Sequence, residues 1–113
     1  MYATLKASIW VGALLRRAQT AGAFATFIYK GDVDAGTVLV KTLQSDTICR
    51  LYHPVRDMQG ERIWHVYGPY EESQIDDYIQ NRRHTDPDIW VVEITDKSGQ
   101  HFITERVVIS DTE

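Results

Sequence analysis

Ile89-Trp90-Val91-Val92-Glu93-Ile94 is almost continuously apolar, with one carboxylate set inside it. Pro87 lies ahead of this run and the turn-forming Asp96-Lys97-Ser98-Gly99 follows it. A short apolar run so bounded describes a central strand buried on both faces. Pro87 forbids a helix at that point and pushes Asp86 toward an extended conformation, so any preceding helix must end there. One is expected from about Glu71. Ile75, Tyr78 and Ile79 share a face, Glu71, Glu72, Asp76 and Asp77 crowd its start, and Arg82, Arg83 and His84 close it, as the helix dipole favours.

Further upstream, residues 24–30, 37–43, 47–53 and 62–67 read as strands rich in β-branched and aromatic residues. The connections at 31–36, 44–46 and 54–60 are too short for a parallel crossover, which needs a dozen residues or more. An antiparallel meander is therefore expected, broken by Gly68-Pro69. Ahead of it, residues 5–20 carry Trp10, Val11, Leu14, Leu15 and Ala18 at helical spacing, with Gly22 as the stop. Ile9 and Ala13 widen that apolar stripe into a second contact surface. Beyond the central strand, residues 101–104 pair back as a hairpin strand, and residues 105–113 form an edge strand or a flexible tail. The order α-β-β-β-β-α-β-β predicts a single α+β domain over residues 1–113. Its mostly antiparallel sheet has five to six strands, with two helices packed on one face and Tyr29, Tyr52, Trp64 and Tyr67 on the other.

A chain of 113 residues, 43% hydrophobic and 25% charged, matches an average globular domain, which excludes disordered, collagen-like and coiled-coil classes. The net charge of −4 argues against general binding to nucleic acid or anionic membranes. Cys49 is the sole cysteine, so no intrachain disulfide forms, as suits a reducing cytoplasm. The longest apolar run, residues 9–15, is far too short to span a membrane. Lys6 followed by that run and Ala21-Gly22-Ala23 imitates a signal peptide. Arg16 and Arg17 place positive charge where such a signal disfavours it, so a structural helix is expected instead.

Three blocks together carry a family likeness: Ala7-Ser-Ile-Trp-Val-Gly-Ala-Leu-Leu-Arg-Arg17, Gly31-Asp-Val-Asp-Ala-Gly-Thr-Val-Leu-Val-Lys41 and Asp86-Pro-Asp-Ile-Trp-Val-Val-Glu-Ile94. Over residues 5–102 the chain resembles a family of short alphaproteobacterial proteins known only as a domain of unknown function. The resemblance implies a cytoplasmic bacterial protein and transfers no activity and no functional residue.

Asp32-Val-Asp34-Ala-Gly36 imitates the start of a calcium loop, but the twelfth position is Leu43 rather than a bidentate Glu. The sequence favours a turn whose Asp side chains serve loop amides, with Gly36 supplying an unusual backbone angle. Asp88, Glu93 and Lys97 fail the metal-dependent nuclease pattern, because Thr95 stands where the lysine belongs and Asp88 and Glu93 face opposite sides of a strand. His53, His65, His84 and His101 have no ligand spacing, so no metal is expected. Cys49 reads as a buried inert thiol. Within its apolar strand Glu93 needs a partner, and Arg82 or Arg83 is expected to supply it.

Two functional readings follow. The first is a non-enzymatic cytoplasmic interaction domain without cofactor, which self-associates through Trp10, Trp64 and Tyr67 as a homo-oligomer and leaves open a further protein partner. Its alternative is a small enzyme or anion/effector-binding protein. That reading gathers Glu93, Arg82, Arg83, His84, Asp86 and Asp88 into a pocket and adds Arg16 and Arg17 from the other helix.

Overall fold

The computed structural model describes residues 6–109. Helix α1 (Ala7–Thr20) buries Ala7, Trp10, Val11, Leu14 and Ala18 along one stripe. It ends at Gly22, whose φ of 93° lies in the left-handed region that favours glycine. The strands are β1 (Phe24–Tyr29), β2 (Val38–Ser45), β3 (Ile48–Arg56), β4 (Arg62–Tyr70), β5 (Trp90–Thr95) and β6 (Val107–Val108), with α2 (Glu72–Thr85) between β4 and β5. Each expected element up to residue 95 is present, within a few residues of its expected ends. The expected start at residue 5 and the tail from residue 110 lie outside the described residues.

The topology departs from the expected meander. All six strands form one sheet in the order β1-β5-β2-β3-β4-β6. Strands β2, β3 and β4 do make an antiparallel meander. Between β1 and β2, however, β5 is inserted, antiparallel to β1 and parallel to β2. A second parallel pair joins β4 to β6. The sheet is therefore mixed rather than mostly antiparallel. Short connections exclude parallel pairing only between strands adjacent in sequence, and α2 supplies the long crossover that β5 needs. Strand β4 also runs through Gly68-Pro69 to Tyr70, with a register shift between Cys49 and Leu51 opposite. Residues 101–104 form no strand, and among the described residues of the C-terminal segment Val107–Val108 pairs.

Side-chain alternation assigns the two helices to opposite faces. Val38, Val40, Trp90, Val92 and Ile94 join the core beneath α1, together with Tyr52 and Trp64. Leu39, Ile89 and Val91 join Ile75 and Ile79 of α2 on the other side, with Cys49 and Leu51. The expectation of both helices on one face is thus corrected: a strand apolar on both faces needs cover on both.

Gly12 sits in the middle of α1 on its exposed side, where an added Cβ would meet nothing within 4 Å. Gly12→Ala should raise stability by about 0.5–1 kcal/mol, because alanine loses less backbone entropy in a helix. An unchanged denaturation midpoint would refute this.

Candidate functional site

Since β5 separates β1 from β2, the loop between them must cross two strand spacings, roughly 10 Å. It does so over the start of β5. The Asp32 amide donates to the Asp88 carbonyl at 3.0 Å, and Trp90 donates through Nε1 to the Asp32 carbonyl at 2.7 Å. Asp32 Oδ1 accepts the amides of Asp34 and Ala35, both at 2.9 Å. Those two bonds hold its carboxyl below the usual value. The loop also closes the start of α1. Its carbonyls at Asp34 and Val33 accept the amides of Ala7 and Ser8 at 3.2 and 3.1 Å, and Lys6 lies 3.6 Å from Asp34. Gly36 has no left-handed angle; it is glycine because a Cβ there would stand 2.6 Å from the Asp88 carbonyl oxygen.

Beside this junction lies a cleft of about 600 Å³. Its charged lining is Lys6, Asp34, Arg56, Arg62 and Arg82. The fold brings these together from α1's leading residue, the straddling loop, the facing ends of β3 and β4, and the end of α2. Pro54 also lines the cleft, two residues beyond Tyr52, where β3's pairing with β2 ends. Its missing N–H therefore breaks no ladder bond.

The four cations are held differently. Arg62 makes two parallel bonds to Glu105, each 3.0 Å, and its guanidinium lies over the rings of Trp10 and Trp64 at 5.1 and 5.5 Å. Those rings stack at 5.2 Å, and Trp64 Nε1 donates to Glu105 at 2.7 Å. Burial pushes the Glu105 carboxyl up, yet the bonds from Arg62 and Trp64 outweigh it and hold the carboxyl low. This cluster anchors the segment that leads into β6. Lys6 faces Asp34. Arg56 reaches the Gly60 carbonyl at 3.1 Å, and Arg82 the Tyr78 hydroxyl at 3.5 Å. Among the described residues, the ion pairs engage Lys6, Lys41, Arg62 and Arg106, leaving Arg56 and Arg82 without a carboxylate.

The pocket expected from sequence does not assemble as drawn. Of its residues, Arg82 alone lines the cleft. Glu93 pairs with neither Arg82 nor Arg83 but with Lys41, at 3.0 Å on the α2 face. Arg83 instead covers the Tyr29 ring at 3.6 Å, while His84 is exposed. Asp86 accepts the Asp88 amide at 3.2 Å in a local turn. Arg17 donates to the Phe102 carbonyl at 2.9 Å, and Arg16 is exposed beside it. That pair flanks the end of β5 near Thr95, whereas α2 closes at the start of β5, so the two arginine pairs sit at opposite ends of the sheet. The reading missed Lys6, Arg56 and Arg62. Arg56 and Arg62 are cross-strand partners, which an earlier hairpin register would have placed opposite one another.

Other candidates resolve just as locally. Burial pushes the Cys49 thiol up to about 12, so it carries no thiolate at neutral pH. His53 and His65 face each other at 5.8 Å, and burial, then His65 and Arg82, hold His53 below its ordinary value. No group of three or more potential metal ligands occurs among the described residues. Nor is any described helix long and apolar enough to cross a membrane. Trp10 and Trp64 are buried, at 7% and 0% exposure, so in the folded chain they offer too little surface to seat a second copy. Half-buried Tyr67 stacks on Tyr78 at 4.8 Å.

A family model described as a protein of unknown function (DUF1491) matches residues 5–104. The crystal structure of a DUF1491 protein from Caulobacter crescentus is similar at 45% identity and a TM-score of 0.88, covering 93% of this chain and all of that one. An NMR structure from the same organism gives 44% identity and a TM-score of 0.85, covering 95% and 99% of the two chains. The solution structure of protein Atu0922 from A. tumefaciens is 30% identical, with a TM-score of 0.77 and 91% and 95% coverage. No curated protein matches the sequence. The three blocks that carried the likeness meet at one junction, where α1 starts, the straddling loop crosses and β5 begins, and the chain belongs to the DUF1491 family of proteins of unknown function.

Proposed function

We propose that the protein is a non-enzymatic cytoplasmic interaction domain that self-associates through strand β1. The carrying observation is the character of that edge. Phe24, Phe27 and Ile28 are 71%, 40% and 39% exposed, and Phe24–Tyr29 contains no charge, proline or glycine. Sheet edges are ordinarily blunted by charge, proline or brevity. The opposite edge, β6, is two residues long, whereas β1 is six, with a register irregularity between Phe27 and Tyr29 and its Ala25 carbonyl accepting from Gln19 at 3.0 Å. A second copy is the partner that fits. Antiparallel pairing of β1 with itself across a two-fold axis lets one strand supply both halves of a closed interface. This replaces the buried tryptophans with an apolar surface that is accessible. The non-enzymatic reading is supported by the engagement of Glu93 and Glu105 in ion pairs and by the burial of Cys49. A lone, buried thiol suits the cytoplasm.

Sedimentation equilibrium tests the reading. The wild-type chain should sediment at twice the chain mass, and Phe24→Lys should return it to the single mass. Since Phe24 is largely exposed, that variant should change fold stability by no more than about 0.5 kcal/mol. A monomeric wild type, or a folded variant that keeps the doubled mass, would remove β1 as the interface.

A further inference from the structure

We infer that the cleft between the start of α1 and the end of α2 binds a small organic oxyanion carrying at least two negative charges, a phosphate ester or a polycarboxylate. The argument starts from charge in the wrong place. The chain is net negative by four, yet this cleft gathers Lys6, Arg56, Arg62 and Arg82 against a single lining carboxylate, Asp34. Asp34 answers Lys6, and Glu105 answers Arg62. Among the described residues, Arg56 and Arg82 remain without a carboxylate partner on one cavity, brought there from β3 and from α2. Cations gathered on one cavity raise the local concentration of anions there. Guanidinium forks suit oxyanions because each can give two parallel N–H bonds to one phosphate or carboxylate group.

Size and lining narrow the ligand. A volume of about 600 Å³ is that of a metabolite site rather than a bare ion site. Ala7, Trp10, Val38 and Pro54 supply apolar wall beside the charges, so the ligand has an organic part to cover them. A nucleic-acid backbone is a poor fit, because it needs an extended basic track and the rest of the surface carries the negative balance. No residue of β1 lines the cleft, so this inference stands apart from self-association.

Calorimetric titration at low ionic strength tests it, with pyrophosphate and citrate as the two probes and Arg56→Gln, Arg82→Gln and Arg16→Gln as variants. At least one probe should bind the wild type, and the tighter of the two identifies the phosphate or the carboxylate class. Arg82→Gln and Arg56→Gln should each weaken that binding by about tenfold or more, the worth of one charge-assisted bond. Arg16→Gln, which removes an exposed arginine at the far end of the molecule, should leave it unchanged. Binding by neither probe would overturn the proposal, as would equal weakening by all three variants, which would mark diffuse attraction rather than a site. Backbone amide shifts on titration provide the second reading: changes centred on Lys6, Gly36, Arg56 and Arg82 support the cleft, and changes elsewhere refute it. Phe24→Lys should bind as the wild type does, whatever its mass.

Discussion

Gly31→Ala should destabilise the fold by about 3 kcal/mol or more, seen as a lower denaturation midpoint at an unchanged slope. The reason is steric and lies in the topology. A Cβ at Gly31 would run into the Asp88 carbonyl oxygen, and would stand 2.7 Å from both the Ile89 carbonyl carbon and the Trp90 ring. Backbone cannot give way as a flexible side chain does. The loop is pinned to the same stretch by the Asp32 amide on Asp88 and the Trp90 indole on the Asp32 carbonyl. Relieving the clash means lifting the loop off β5, which would also release the carbonyls that close the first turn of α1. Gly12→Ala is the internal control, since it adds the same methyl group where nothing is near. A Gly31→Ala midpoint within about 0.5 kcal/mol of wild type would mean that the loop does not straddle β5 so closely.

That junction also separates what the sequence carries openly from what it conceals. Local signals were direct. Gly22 stops α1, Asp32 serves loop amides, Pro87 separates α2 from β5, and the apolar run 89–94 is a central strand. The insertion of β5 between β1 and β2 was concealed, because no local pattern records which strands meet after a long crossover. One inference was within reach: a strand apolar on both faces already requires helices on both, which contradicts the expectation of one-sided cover. Gly36 illustrates a subtler limit. A loop glycine suggests a special backbone angle, but here it marks a close approach by a strand more than fifty residues away. The arginine pairs failed as a joint site for the same topological reason, since charge at two helix ends says nothing about which end of the sheet each helix reaches.

Glu93 was the residue whose chemistry most invited a catalytic reading, and its partner gives the second large effect. Lys41 stands opposite Glu93 in the parallel β2–β5 register. Its side chain is 3% exposed, and its Nζ lies 2.7 Å from Glu72, 2.7 Å from Asp76 and 3.0 Å from Glu93. Glu72 and Asp76 are four residues apart on α2, so one face of its first turns delivers both. Lys41→Met keeps an unbranched apolar stem one atom shorter but strands three carboxylates around the vacated charge. It should cost about 3 kcal/mol at neutral pH, toward the lower end of the range for a broken buried pair because Asp76 is half-exposed. Glu93→Gln in the same chain should recover part of that loss by removing the least exposed of the three carboxylates.

The pH dependence fixes the sign. Burial pushes Lys41 toward the neutral form, but the three carboxylates outweigh burial and hold its folded value above the ordinary 10.5. A group raised on folding stabilises fully below its unfolded value and loses that contribution as pH rises through the folded one. The stability gap between wild type and Lys41→Met should therefore stay level from about pH 6 to 9 and, on the alkaline side, shrink only above the ordinary lysine range. A gap below about 1 kcal/mol at neutral pH, or one that closes before pH 9, would mean that the carboxylates are not held by Lys41. It would then return Glu93 to the list of groups available for chemistry.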